Sequence, residues 1–349
     1  MTIRVLVAED SITVRKRLIE ILETDPDIQV VGEAEDGKRA IELCRLLRPD
    51  VITLDMMMPV ITGLAATEYI MAYFPTPILI VSASTNRGEL FRTYEALAAG
   101  AVDVLDKADS DLAGWDEKFI STVKIVARVR VITHPRARLV ASGVTKPTAP
   151  LVSERAPSRV VVLGASTGGP GALLTVLRAF REPFQLPILV VLHLNERFST
   201  AFAEWLDGQL PLQVSYASDD EPLSGRGGQI IMAPPGRHLA VRDRRLRVTR
   251  DPERHSCRPS VDVLFESVAE EYREGVVAAL LTGMGRDGAA GLVAIRSAGG
   301  RTIAQDEATS VVFGMPREAV VLGAAERVLP LEKIGPALLQ LAGGGEARP

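Results

Sequence analysis

The chain has 349 residues, 47% of them apolar and 24% charged, and its 40 Lys and Arg against 44 Asp and Glu leave a formal net charge of −4. That length accommodates two domains with separate cores, and the slight acidic excess excludes the electrostatic footprint of a nucleic-acid binder. No apolar run reaches the roughly 18 residues of a membrane-spanning helix, and Glu9 and Asp10 arrive too early for a signal peptide, so a cytoplasmic protein without membrane insertion is expected. Cys44 and Cys257, far apart in sequence, read as ordinary small side chains rather than as a disulfide or a cysteine-based zinc site.

From residue 3 to about 125, short β-branched runs alternate with amphipathic stretches: Ile3–Val7, Ser11–Glu23, Ile28–Val31, Gly37–Leu47, Val51–Leu54, Gly63–Tyr73, Ile78–Val81, Arg87–Ala98, Ala101–Leu105 and Trp115–Val126. Five βα units predict a doubly wound, five-stranded parallel α/β domain with a ligand crevice at the carboxyl ends of its strands. The polar residues at those ends are Glu9, Asp10, Asp55, Ser82 and Lys107. Three crowded carboxylates repel one another unless a divalent cation sits among them, and hard oxygen ligands suit Mg2+. A lysine and a hydroxyl nearby supply hydrogen bonds to the oxygens of a transferred phosphoryl group.

Over residues 1–126 the pattern resembles the receiver domain of two-component response regulators. The resemblance implies Asp55 as phosphoacceptor and Glu9 and Asp10 as the acidic pair. It also implies Asp10, Asp55 and the Met57 backbone carbonyl as Mg2+ ligands, Ser82 as the switch hydroxyl and Lys107 as the pocket lysine. Val104 replaces the usual aromatic switch residue and Ala108 the usual proline after the lysine, with Asp106 on the other side, so a weaker or differently routed switch is expected. Residues 127–157, with Arg128, Arg130, Pro135, Arg136, Arg138, Lys146, Pro147, Pro150, Arg155 and Pro157, read as an exposed, semi-extended linker.

A second domain is expected over 158–342, followed by a disordered tail, 343–349. Val160–Leu163 reads as a buried strand running into Gly164-x-Ser166-x-Gly168 and a helix from about Gly169. This spacing fits a nucleophile elbow, with free helix N–H groups aimed at the serine. A dinucleotide-binding or reductase domain using Gly164–Gly171 as a phosphate loop is the competing reading, and it requires an acidic ribose partner at the end of the next strand. That strand, Pro187–Leu192, ends instead at His193, with Glu196 only loosely placed. Parallel neighbours end on one edge, so His193 emerges beside Ser166 as a general base. A helix over Thr200–Leu210 and appended hairpins through Gly227–Met232, Leu239–Val241 and Leu246–Val248 follow. His238 and His255 lie in Arg-rich, loop-like contexts and read as surface or substrate-facing residues, while His134 is in the linker. The pair His255 and Cys257 has no second ligand pair nearby, so a structural zinc site is not expected. Val276–Leu281 is another buried strand leading to Asp287, which either orients His193 or caps the helix starting near Ala289.

The strings Gly-Ala-Ser-Thr-Gly-Gly and Thr-Gly-Met-Gly-x-Asp-Gly-Ala-x-Gly resemble the C-terminal domain of chemotaxis protein-glutamate methylesterases, the CheB family, whose architecture is a receiver joined by a linker to this domain. The resemblance implies a catalytic triad of Ser166, His193 and Asp287, with backbone donors around Thr167 and Met284 forming the oxyanion hole and no cofactor for the ester chemistry. It further implies methyl-accepting chemoreceptor cytoplasmic segments as substrate, a chemotaxis-type histidine kinase as phosphodonor, and a receiver that covers the cleft until phosphorylated. The same chemistry on a glutamine side chain gives a deamidase. Arg258-Pro259-Ser260-Val261-Asp262 is a further family-like string without a derivable role. A noncatalytic receptor adaptor remains a second alternative, distinguished by its indifference to Ser166→Ala.

Overall fold

A computed structural model describes residues 2–83, 86–107, 113–129, 131, 159–181 and 183–343. The expected linker and tail fall outside these except for 127–129, Val131 and Gly343, and Ala108 lies outside them as well. The first half runs β1 (Ile3–Ala8), α1 (Ile12–Glu23), β2 (Ile28–Ala34), α2 (Gly37–Leu47), β3 (Val51–Leu54), α3 (Gly63–Tyr73), β4 (Ile78–Ser82), α4 (Arg87–Ala98), β5 (Asp103–Asp106) and α5 (Trp115–Val126). Its five strands form one parallel sheet in the order β2-β1-β3-β4-β5, as the alternation predicts. Strands covered by helices on both faces must be apolar throughout, and β3 and β4 are buried along their whole length.

The second half comprises β6 (Val160–Ala165), α6 (Gly169–Leu177), β7 (Ile188–Leu192), α7 (Glu196–Ser199), α8 (Phe202–Asp207), β8 (Val214–Tyr216), β9 (Ile230–Met232), β10 (His238–Arg242), β11 (Arg245–Thr249), α9 (Val261–Tyr272), β12 (Val276–Leu280), α10 (Ala289–Ser297), β13 (Arg301–Gln305), α11 (Met315–Val321), β14 (Arg327–Leu329) and α12 (Leu331–Leu341). Seven parallel strands form its sheet in the order β14-β13-β12-β6-β7-β9-β8. Among the described residues only β10 and β11 make a hairpin, separate from that sheet. β9, expected within the hairpin region, pairs instead in parallel with β7. Its three residues are buried, and a side chain at Gly227 would meet the Gln185 carbonyl oxygen at 2.2 Å, so only glycine lets the preceding turn close against the sheet.

The helix expected over Thr200–Leu210 is shorter, Phe202–Asp207, and a break at 200–201 separates it from α7. The Tyr216 hydroxyl donates to the Ser199 carbonyl and accepts from the Ala203 N–H at 3.3 Å, inserting itself where the i→i+4 bond of a continuous helix would form. Two sheets and their helices then meet through α4, which packs on α6 and α8. Tyr94 is fully buried there, edge-on to Phe202 at 5.3 Å and 5.5 Å from Trp205, and its hydroxyl donates to the Phe198 carbonyl at 2.7 Å. One hydrophobic cluster therefore runs from the first sheet into the second.

Candidate active site

β6 lies between β7 and β12, so the segments leaving all three strands emerge on one edge. Ala165 pairs with Leu192, and the His193 N–H donates to the Ala165 carbonyl at 2.9 Å, which puts Ser166 and His193 side by side just beyond the paired strands. On the other flank Leu280 pairs with Gly164, and the Ser166 N–H donates to the Thr282 carbonyl at 3.0 Å. That approach depends on Gly283, where a Cβ would sit 2.7 Å from Ser166 Cβ and 2.3 Å from Met315 Sδ.

The loop from β12 delivers Asp287, 2% exposed, with Oδ2 2.9 Å from His193 Nε2. Asp287 does not cap α10, whose N-cap is Gly288. It caps α9 instead: the Ser260 hydroxyl donates to Oδ1 at 2.7 Å, the Asp262 N–H to Oδ1 at 3.1 Å and the Val261 N–H to Oδ2 at 2.7 Å. Helix N-terminal N–H groups stabilise negative charge. Burial opposes ionisation of Asp287, but His193 and these donors outweigh it and hold the carboxyl below its ordinary range. Burial likewise disfavours the His193 imidazolium, yet Asp287 and Cys257 prevail and its pKa is pushed up to about 9. With Nε2 held by Asp287, Nδ1 is the nitrogen left to act on a proton, and Cys257 Sγ lies 3.7 Å from it.

Ser166, Thr167, His193, Cys257 and Arg258 are among the second-domain residues that line a cavity of about 340 Å³, and the first domain contributes Asp103, Val104, Leu105, Lys118 and Thr122 to its wall. Among the described residues the Thr167 and Met284 N–H groups have no hydrogen-bond acceptor; Thr167 lines the cavity, whereas the Met284 side chain is 56% exposed. A dinucleotide would need the space at the glycine turn, but Val311 fills it: a Cβ on Gly168, at φ 75°, would lie 2.5 Å from Val311 Cβ.

Two expectations about side chains are corrected. His238 is not a surface residue: at 1% exposure its Nδ1 accepts the Ser260 N–H at 3.1 Å and its Nε2 lies 3.1 Å from the Pro252 carbonyl, so it braces the turn that solvates Asp287. Cys257 is not a bystander, since it faces the His193 imidazole. His255 does stay at the surface, with Nε2 3.1 Å from Asp262 Oδ2. The string over 258–262 thus acquires a role as the carboxylate's cradle. Ser260 before an apolar helix start is a legible capping signal; that its hydroxyl also reaches Asp287 is not.

At the first domain's strand ends, Lys107 Nζ lies 2.5 Å from Glu9 Oε2 and 3.0 Å from Asp55 Oδ1. Oxygens of Glu9, Asp10 and Asp55 all fall within 4.8 Å of one another. Burial raises the Glu9 carboxyl, Lys107 opposes this and Asp55 adds to it. A convergent, hard-oxygen set with one member reluctant to ionise fits Mg2+. Ser82 is buried at the end of β4 and pairs in register with Asp106; Met57 is 41% exposed, its sulfur 3.7 Å from Arg92.

A phosphoacceptor-type pocket on one parallel sheet and a Ser, His and Asp constellation at the edge of another define a two-domain α/β protein that couples a receiver to a hydrolase-like site. The chain belongs to the CheB methylesterase family, which matches residues 161–338, while residues 5–112 match the response regulator receiver domain. A protein-glutamate methylesterase/protein-glutamine glutaminase of Nitrosospira multiformis is 44% identical over 346 residues, 97% of both chains. A second protein of that name, from Anaeromyxobacter dehalogenans, is 43% identical over 341 residues, again 97% of both. The Thermotoga maritima CheB methylesterase catalytic domain superposes with a TM-score of 0.50 at 35% identity, covering 53% of this chain and all of that one.

Proposed function

We propose that this chain is a cytoplasmic, phosphorylation-regulated protein-glutamate methylesterase that demethylates the cytoplasmic segments of chemoreceptors and hydrolyses glutamine side chains there by the same chemistry. The observation that carries the proposal is the His193 Nε2 to Asp287 Oδ2 bond of 2.9 Å beside Ser166 in one cavity. Ser166 Oγ attacks the ester carbonyl while His193 Nδ1 takes its proton and Asp287 stabilises the imidazolium. The Thr167 and Met284 N–H groups donate to the oxyanion, each worth about 3 kcal/mol of barrier. Methanol leaves with the proton from His193, and water, deprotonated by the same nitrogen, hydrolyses the acyl-serine to free glutamate.

In the receiver, Asp55 accepts the phosphoryl group from a chemotaxis-type histidine kinase. Asp10 and Asp55, with the Met57 carbonyl, would hold Mg2+ beside Glu9, and the ion would offset negative charge when bound. Lys107 contacts the phosphoryl oxygens.

Regulation follows from β5. Its end residues sit on both sites at once: Lys107, just beyond it, contacts Asp55; Asp106 Oδ2 is 2.7 Å from Arg197 Nε; and Asp103 is hydrogen-bonded by the Thr167 side chain. Burial raises the Asp103 carboxyl against the pull of its hydrogen bonds. With Val104 at the aromatic switch position, these polar links provide the alternative route by which phosphorylation loosens the receiver from the cleft. Methanol release from methylated receptor membranes, with phosphodonor and Mg2+, tests the function: Ser166→Ala should lower it by about 10⁶. Equal release from both proteins would leave the adaptor reading.

A further inference from the structure

Cys257 and His193 are 64 residues apart, yet Cys257 Sγ stands 3.7 Å from His193 Nδ1 in the cavity that Ser166 lines. Tetrahedral Zn2+ with bonds of about 2.3 Å to sulfur and about 2.05 Å to nitrogen spans an S···N edge of about 3.6 Å. The two atoms are therefore already spaced as adjacent ligands of one ion. The opposite ring nitrogen, Nε2, is held at 2.9 Å by Asp287, which itself receives three further hydrogen bonds. A carboxylate on the far nitrogen fixes the tautomer that presents a lone pair to a metal and raises its basicity, the usual support behind zinc-bound histidines. The cavity of about 340 Å³ leaves room for water as the remaining ligands.

We propose that the esterase cleft is a second, inhibitory cation site, in which Cys257 Sγ and His193 Nδ1 bind a borderline-soft divalent ion of the Zn2+ type. Binding displaces to solvent the thiol proton and the proton that Nδ1 carries whenever the imidazole is charged, and the metal then occupies the lone pair that would take the Ser166 proton, so the site is switched off without any covalent change. Ligand softness separates it from the receiver pocket: Mg2+ goes to the all-oxygen set at Asp55, and Zn2+ to sulfur and imidazole. Metal binding itself stands apart from the proposed function; only its effect on turnover rests on His193 being the base.

The test uses the full chain in saturating Mg2+, with Co2+ as a spectroscopic probe and Zn2+ as competitor. One equivalent of Co2+ should give a sulfur-to-metal charge-transfer band that Zn2+ abolishes, and Cys257→Ser should weaken binding at least tenfold, while Cys44→Ser leaves it unchanged. Because a variant can misfold, wild-type protein provides a second readout: Zn2+ should protect Cys257 from alkylation by iodoacetamide, mapped by mass spectrometry. Methanol release should fall with the same Zn2+ midpoint. Absence of the band, its persistence in Cys257→Ser, or its displacement by Mg2+ would overturn the site. A band with unaltered methanol release would overturn the inhibition alone, whereas no methanol release under any condition, with the band intact, would instead count against the esterase reading.

Discussion

Asp287 holds a charge in a place where burial opposes it, and the imidazole, the Ser260 hydroxyl and the first two N–H groups of α9 together keep it ionised. Replacing it by Asn removes the charge that stabilises the imidazolium, and methanol release should fall by about 10⁴. Because the folded site raises the imidazole from 6.5 to about 9, the metal-free, unphosphorylated enzyme should gain activity as pH rises through about 9, and Asp287→Asn should move that limb down towards 6.5. The same shift links to stability: the ion pair contributes fully below about pH 6.5 and its contribution is lost as pH rises through about 9, measurable as a Tm difference between wild type and Asp287→Asn. Ser260→Ala leaves one Asp287 oxygen short of a donor and should cost about 1 to 3 kcal/mol in denaturant unfolding.

Elements set how these residues meet. β6, flanked in register by β7 and β12, brings a serine and a histidine together at one sheet edge. α4 fastens the receiver to the second domain: Tyr94 is buried between Phe202 and Trp205, and Arg87 forms an ion pair with Glu204. Removing the Tyr94 hydroxyl deletes a buried bond worth about 1 kcal/mol, so Tyr94→Phe should raise unphosphorylated esterase activity roughly fivefold. The phosphorylated rate should stay put. An unchanged ratio would mean that α4 remains docked during activation.

For the whole molecule, the receiver closes the cavity with Asp103, Val104 and Leu105. A tenfold activation needs only about 1.4 kcal/mol of differential interdomain contact, little more than one of the polar links on β5. Asp55→Asn should therefore keep the basal rate and lose all response to a small-molecule phosphodonor, read as methanol release with and without it. Arg197→Ala, which frees Asp106 from that ion pair, should raise the basal rate and blunt the same response.

Alternating βα units, Gly-x-Ser-x-Gly before a helix, and polar residues at strand ends make the first sheet, the central strands β6, β7 and β12 of the second, the receiver pocket and the positions of Ser166, His193 and Asp287 legible in the sequence, because strand ends and glycine turns are local properties. Residues 301–341, which add β13, α11, β14 and α12, carry no motif that marks them. Tertiary structure alone decided that Asp287 caps α9 rather than α10, that Tyr216 splits the helix after His193, that His238 is a buried brace and that Cys257 faces the imidazole. Each of these joins residues from separate elements, and such pairings follow from how the elements pack, which no local pattern encodes.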